Sequence, residues 1–234
     1  MTQEIVIDRR FRGPPNSGNG GYSCGVLGDR FDGVATVTLR RPPPLDSPLQ
    51  LVDDRGLLRL LDGDTLIGEA APDTLEIEVP ASPGMEVART GSTGYVGFQA
   101  HPFPTCFVCG PEREPGDGLR IFPGPVGDGS LVSAPWSPDP SLDGGVGLVH
   151  RRHVWAALDC PSYFALPRAP LALLGRLTAR IDRIPEVGEP LVVMGWHVGS
   201  EGRKHFAGSA LADTGGEVVA HALATWVEID RLPG

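Results

Sequence analysis

Five consecutive residues, Val154-Trp155-Ala156-Ala157-Leu158, present no polar face whichever way a helix turns them, so the helix predicted over residues 150–166 must be buried all round. Enclosing such a helix takes a sheet that wraps it. The rest of the chain supplies one: 32 Gly and 24 Pro among 234 residues punctuate short apolar runs, the pattern of strands between turns rather than of long helices. Strands are predicted at 4–8, 34–39, 49–52, 57–61 and 75–79, and again at 119–122, 177–184, 191–198, 204–211 and 217–229.

The two series of strands share an internal signature. Arg41-Pro42-Pro43-Pro44-Leu45-Asp46-Ser47-Pro48-Leu49 and Arg183-Ile184-Pro185-Glu186-Val187-Gly188-Glu189-Pro190-Leu191 repeat Arg, Pro, an aliphatic residue and Pro-Leu in register, and each copy precedes strand-like runs joined through an Asp/Gly turn, at 62–64 and at 213–216. The first-half counterpart of the buried helix is 19–28, a glycine-rich stretch of low helix propensity in the same place relative to its strands. An α+β chain of two similar units follows, 1–80 and 119–234, with 81–118 as a Gly/Pro/Ser/Thr-rich connector without sustained periodicity.

Charge and composition narrow the function. With 29 acidic against 20 basic residues and a net charge of -9, the chain repels a phosphate backbone, and nucleic acid is not expected as a partner. No apolar run approaches the roughly 20 residues of a membrane span, and Met1-Thr2-Gln3-Glu4 does not begin a signal peptide, so a cytoplasmic location is expected. Four cysteines are too few for a disulfide scaffold.

Among residues that could carry chemistry, Asp159 stands out, a carboxylate directly after the buried run. Burial raises a carboxyl pKa and suits it to act as base or nucleophile near neutral pH; the competing reading is a helix cap for a turn restarted by Pro161. Taken alone, Asn19-Gly20-Gly21 reads as an ordinary turn, since Asn-Gly is the commonest turn dipeptide. Gly21-Tyr22-Ser23-Cys24-Gly25 matches the G-x-S-x-G of α/β-hydrolases but lacks the strand that must precede it. Cys106-Phe107-Val108-Cys109, with His101 upstream as a third donor, is short of the four ligands of zinc, because no second C-x-x-C or close His pair follows. The pair is read as structural and dispensable for catalysis, and no metal or other cofactor is predicted. His197, His205 and His221 receive no role. Arg151, Arg152, Arg203 and Lys204 could pair with phosphates but are read first as solvated surface.

The segment His150-Arg151-Arg152-His153-Val154-Trp155-Ala156-Ala157-Leu158-Asp159 resembles the H-G-G-x6-D motif of hot-dog-fold acyl-CoA thioesterases of the phenylacetate-pathway type. Its His and Asp match, while Arg151 and Arg152 replace the glycines. The first half shows the reverse: Asn19-Gly20-Gly21 resembles the H-G-G part, and Gly28 stands at the acid position. The resemblance implies a tandem hot dog, two antiparallel sheets each wrapping a central helix, with one working site built from the glycines of one half and the acid of the other.

In that site the backbone N–H groups of Gly20 and Gly21 would polarise a thioester carbonyl, Asn19 would orient the loop or the carbonyl, and Asp159 would activate water or attack directly. Tyr22, Ser23, His153 and Trp155 would line the substrate. The implied activity is hydrolysis of an acyl-CoA or related acyl thioester, with coenzyme A as the small-molecule partner and a homo-oligomer compatible with it. The rival reading is an acyl- or lipid-binding hot dog without catalysis. A hydratase is not indicated, since no D-x-N-P-x-H stretch occurs.

Overall fold

A computed structural model describes residues 2–168 and 170–231. In chain order its elements are β1 (Thr2–Val6), α1 (Gly20–Gly28), β2 (Ala35–Leu39), β3 (Pro48–Asp54), β4 (Leu57–Asp62), β5 (Thr65–Pro72), α2 (Met85–Thr93), β6 (Gly124–Val126), β7 (Leu131–Trp136), α3 (Arg151–Ala157), α4 (Cys160–Phe164), β8 (Ala172–Ile181), β9 (Leu191–Glu201), β10 (Lys204–Ala212) and β11 (Val218–Glu228).

The strands of the described residues form one sheet in the order β1-β3-β4-β5-β2-β8-β11-β10-β9-β7-β6. Two separate sheets were expected. The halves instead fuse where β2 meets β8, antiparallel from Ala35↔Ala179 to Thr38↔Arg176, with the hydroxyls of Thr36 and Thr178 2.6 Å apart across the seam. On either side the strand order repeats: β1-β3-β4-β5-β2 is matched by β7-β9-β10-β11-β8.

The match extends to individual hydrogen bonds. Ahead of α1, Gly13 N–H donates to Ser17 O, Gly18 to Pro43 O and Asn19 to Phe11 O; ahead of α3, Gly144 donates to Leu148 O, Val149 to Pro185 O and His150 to Leu142 O. At the entry to the nine-residue repeat, the N–H groups of Arg40 and Arg41 converge on Ile67 O just as those of Asp182 and Arg183 converge on Val219 O. Leu49 and Leu191, which close the two copies, are fully buried.

Val154 to Leu158 are buried on every side, as their sequence requires. The predicted helix over 150–166 is two pieces, however. Pro161 in the first turn of α4 lacks an N–H and its ring excludes the carbonyl four residues back, so the first piece ends at Ala157 with Leu158 as its C-cap and the second starts at Cys160, leaving Asp159 at the break. α1 lies across β2, β4, β5 and β8, and α4 across β7, β9 and β10. α3 packs on α1 instead of on the sheet, antiparallel to it, with Gly21 against Ala156 and Gly25 against the Arg152 backbone.

The connector is more ordered than its composition suggests. α2 covers the outer face of the second half, its Ala88 buried with Val192, Met194, Trp196, Ala210 and Ala212, and Ile77 and Val79 pack against the same cluster. Two predicted strands, 75–79 and 119–122, form none of the sheet, while β5, β6 and β7 were not predicted as strands. No helix among the described residues is long and apolar enough to cross a membrane.

His153, at the first turns of α3, sits among the rings of Phe11, Tyr22 and Phe107 at centroid separations of 5.7 to 5.8 Å. Burial, reinforced by His150 and Arg152, lowers its pKa to about 3. An unfolded His titrates near 6.5, so between those values the unfolded chain takes up a proton that the folded one excludes, and stability falls with falling pH by about 1.4 kcal/mol per unit. Urea unfolding should show the natural chain losing about 2 kcal/mol more than His153→Phe between pH 7 and pH 5; equal losses would contradict this burial.

Candidate active site

The antiparallel packing of α1 on α3 sets the start of one helix beside the end of the other. Asn19 caps α1, its Oδ1 accepting the Tyr22 N–H at 2.8 Å. Its Nδ2 donates to Asp159 Oδ2 at 2.7 Å, and the Gly21 N–H donates to the same oxygen at 2.8 Å. Residues some 140 positions apart in sequence thus share one carboxylate oxygen. The second oxygen, Oδ1, is buried with no partner among the described residues.

Asp159 is held by its main chain as well as its side chain. Its carbonyl accepts the Ser162 hydroxyl at 2.6 Å, and that hydroxyl in turn accepts the Trp226 indole N–H at 2.9 Å. Although Asp159 occupies the N-cap position of α4, its carboxylate makes no capping bond there; it points its hydrogen bonds across to α1 instead. Loss of hydration raises its pKa to about 7, against the opposing pull of the Gly21 and Asn19 hydrogen bonds.

A cleft of about 260 Å³ opens from this point and is bordered by Asn19, Gly20 and Asp159. Its walls are apolar, with Phe103, Tyr163, Phe164, Leu174 and Trp226, and Arg40 and Arg41 also border it. Arg40 pairs with Glu69; Arg41 forms no ion pair among the described residues. The resemblance implied both glycine N–H groups on a carbonyl, but that of Gly21 is committed to Asp159. The Gly20 N–H donates to no group among the described residues and, at the first position of α1, is the helix-start donor left over.

The other residues expected to line a substrate do not border the cleft. Tyr22 stacks on Phe11 at 3.9 Å. Ser23 is fully buried within α1, close behind Gly18, which also disposes of the G-x-S-x-G reading. His153 belongs to the aromatic cluster described above, and the Trp155 ring lies over Gly28.

That last contact fills the position that mirrors Asp159. Where a carboxylate would mirror Asp159, Gly28 leaves room for the Trp155 ring, and a Cβ there would stand 2.3 Å from Cζ2. The neighbouring Asp29 is engaged by Arg152 at 3.5 Å and lies 4.0 Å from His150. Of the two arginines that replace the glycines of the motif, Arg152 therefore serves a largely buried ion pair in the mirror position, while Arg151 forms no ion pair among the described residues.

Sequence reasoning missed Cys160, whose thiol is brought to Cys106 and Cys109; the three sulfurs lie within 4.8 Å of one another. It also missed Arg40, Arg41, Phe103, Tyr163, Phe164, Leu174 and Trp226, which come from five different stretches of the chain and share no spacing. The only local signal was the position of Cys160 immediately after Asp159.

No family model and no curated protein matches this sequence. Solved structures do match along almost the whole chain. A candidate thioesterase II from Thermobifida fusca is 16% identical with a TM-score of 0.62, covering 98% of this chain and 94% of its own. A candidate oleoyl thioesterase from Lactobacillus plantarum is 10% identical at a TM-score of 0.60, covering 98% and 96%. A conserved protein with a hot dog fold from Alicyclobacillus acidocaldarius is 10% identical at 0.56, covering 99% and 94%. Over nearly its whole length this chain shares the fold of these proteins, the hot-dog fold by which the third is described.

Proposed function

We propose that the chain is a tandem hot dog, its halves 1–80 and 119–234 joined through 81–118, which hydrolyses an acyl-CoA or related acyl thioester in the single composite cleft. The observation that carries this reading is Asp159: a fixed carboxylate with one oxygen anchored by both glycine-loop donors and the other unpaired, at the side of an apolar cleft next to a helix start. Asp159 Oδ1 takes a proton from water as the water oxygen bonds to the acyl carbon. The Gly20 N–H stabilises the oxyanion, and the C–S bond then breaks with the proton passing to the departing thiolate, which leaves a carboxylic acid and free thiol. The aromatic walls take the acyl chain, and Arg41 takes phosphate oxygens of the coenzyme A. The similarity of the fold to proteins named as thioesterases supports this assignment.

An acyl-CoA thioether, which cannot be hydrolysed, tests the binding half of the proposal. Titrated into the protein, it is expected to perturb the fluorescence of Trp226 saturably, with the change lost in Trp226→Phe and the dissociation constant raised about tenfold in Arg41→Ala, the loss of about one charge-assisted contact. A thioether that never saturates, or affinity untouched by Arg41→Ala together with a signal that survives Trp226→Phe, would place the ligand elsewhere.

A further inference from the structure

Three of the four cysteines converge from two remote stretches of chain. Cys106 and Cys109 come from the connector and Cys160 from the start of α4; all are buried free thiols, and Cys106 Sγ lies 3.8 Å from Cys160 Sγ. Thiolates bound tetrahedrally to zinc at about 2.3 Å stand about 3.8 Å apart along each edge. Ordinary packing of buried cysteines does not require three sulfurs to meet at one point.

The surroundings are those of a thiolate cage. Gly110 closes the turn by donating to Cys106 O at 2.9 Å; a Cβ on it would come within 2.5 Å of Cys106 N and Pro104 O, so no larger residue fits there. The Tyr95 hydroxyl fixes the Cys109 carbonyl at 2.9 Å. His101 accepts the Phe103 N–H on Nδ1 at 2.8 Å, which leaves the proton on Nε2, 3.3 Å from Cys109 Sγ. His101 is thus a hydrogen-bond donor to a sulfur, the role of an outer-sphere partner, as is the Asn19 amide 3.7 Å from Cys106 Sγ.

We propose that Cys106, Cys109 and Cys160 bind one zinc ion as thiolates, tying the connector to α4 beside Asp159, with the fourth ligand supplied from the cleft that all three cysteines border. Three soft sulfur donors within 4.8 Å of one another, one pair already at the tetrahedral edge length, select zinc over the oxygen-seeking divalent ions. This revises the expectation that the C-x-x-C lacks a ligand set: the third sulfur comes from a residue too far along the chain for any spacing rule to reach. The site stands independently of thioester hydrolysis.

Protein purified without chelator should carry one zinc per chain by elemental analysis. After chelation, cobalt(II) should give the intense thiolate charge-transfer absorption of a multi-sulfur site, and added zinc should displace it. Cys106→Ser and Cys160→Ser should each weaken cobalt binding by at least about 100-fold, His101→Ala by no more than about that factor, and Cys24→Ser, whose thiol lies in α1 away from the cluster, should leave it unchanged. Because serine variants could fail to fold, the reconstitution of the natural chain carries the test, with a rise in Tm on adding zinc. Folded natural protein that holds less than about 0.1 zinc per chain and gives no charge-transfer band with cobalt, or whose mass shows Cys106 and Cys160 joined as a disulfide after anaerobic purification, would overturn the site. Loss of binding in His101→Ala as complete as in Cys106→Ser would overturn the three-thiolate ligand set.

Discussion

Asp159→Asn is expected to fold and to lose thioester hydrolysis by about 10² to 10⁴, the usual range for removing a general base. Asparagine keeps an oxygen able to accept from Asn19 Nδ2 and the Gly21 N–H, so those buried donors, 2.7 and 2.8 Å from the natural carboxylate, stay satisfied. Alanine is the poorer test, since it leaves both donors unpaired at a cost of about 1–3 kcal/mol each. A capping Asp would behave in the opposite way, with stability falling by about 1 kcal/mol and turnover per folded molecule preserved. The absence of any capping bond from this side chain already argues against that role. Thiol release and thermal unfolding, measured on one preparation, separate the two: near-normal turnover in Asp159→Asn would remove this residue from the chemistry.

Gly21→Val is expected to prevent folding. On sequence grounds the substitution crowds a carbonyl's approach to the backbone donors and so depresses hydrolysis alone. In the structure the α-carbon of Gly21 is pressed into α3: a Cβ would lie 2.4 Å from Asp159 Cβ, 2.9 Å from Trp155 O and 3.1 Å from Ala156 Cα. Backbone on both sides cannot yield, and overpacking of this kind costs roughly 3 kcal/mol or more. Gly25, 2.7 Å from the Arg152 backbone by the same measure, and Gly28 beneath the Trp155 ring continue the contact. Gly33→Ala, where a Cβ would meet nothing within 4 Å, is the matched control and should shift stability by less than about 0.5 kcal/mol. Circular dichroism and Tm on the two variants decide the matter; a folded, native-like Gly21→Val would show that α1 and α3 are not held as closely as described.

The glycines of 19–28 therefore do a different job from the one their motif suggests. Their low helix propensity is overridden by tertiary packing that only glycine allows, and the composite site is a consequence of the two helix ends that this packing brings together. The joining of Asn19 to Asp159 was legible only through the resemblance to a known motif, because nothing in local pattern links residues so far apart. The third sulfur at Cys160 was illegible for the same reason.

Strands were legible where alternation and backbone pairing coincide, as in β4, whose Leu58 and Leu60 are buried while their neighbours are not. They separate at 75–79, where Ile77 and Val79 find an apolar face to cover but no ladder to join. At 119–122 the alternation of Leu119 and Ile121 is again real. Both are buried, and their N–H groups donate to Phe107 O and Val108 O of the cysteine turn, outside the sheet. β5 was missed because Gly68, two alanines and Pro72 dilute its strand signal, and β7 because Pro135 interrupts it.

Whether the cleft releases a thiol is met most directly by free coenzyme A counted over time from a panel of acyl-CoAs of increasing chain length, with substrate in large excess over protein. Sustained release of many equivalents of thiol per chain from at least one member of the panel, absent from Asp159→Asn, is the predicted result. Saturable binding of the same acyl-CoAs with no thiol released beyond the uncatalysed rate would contradict hydrolysis and make the chain an acyl-binding hot dog.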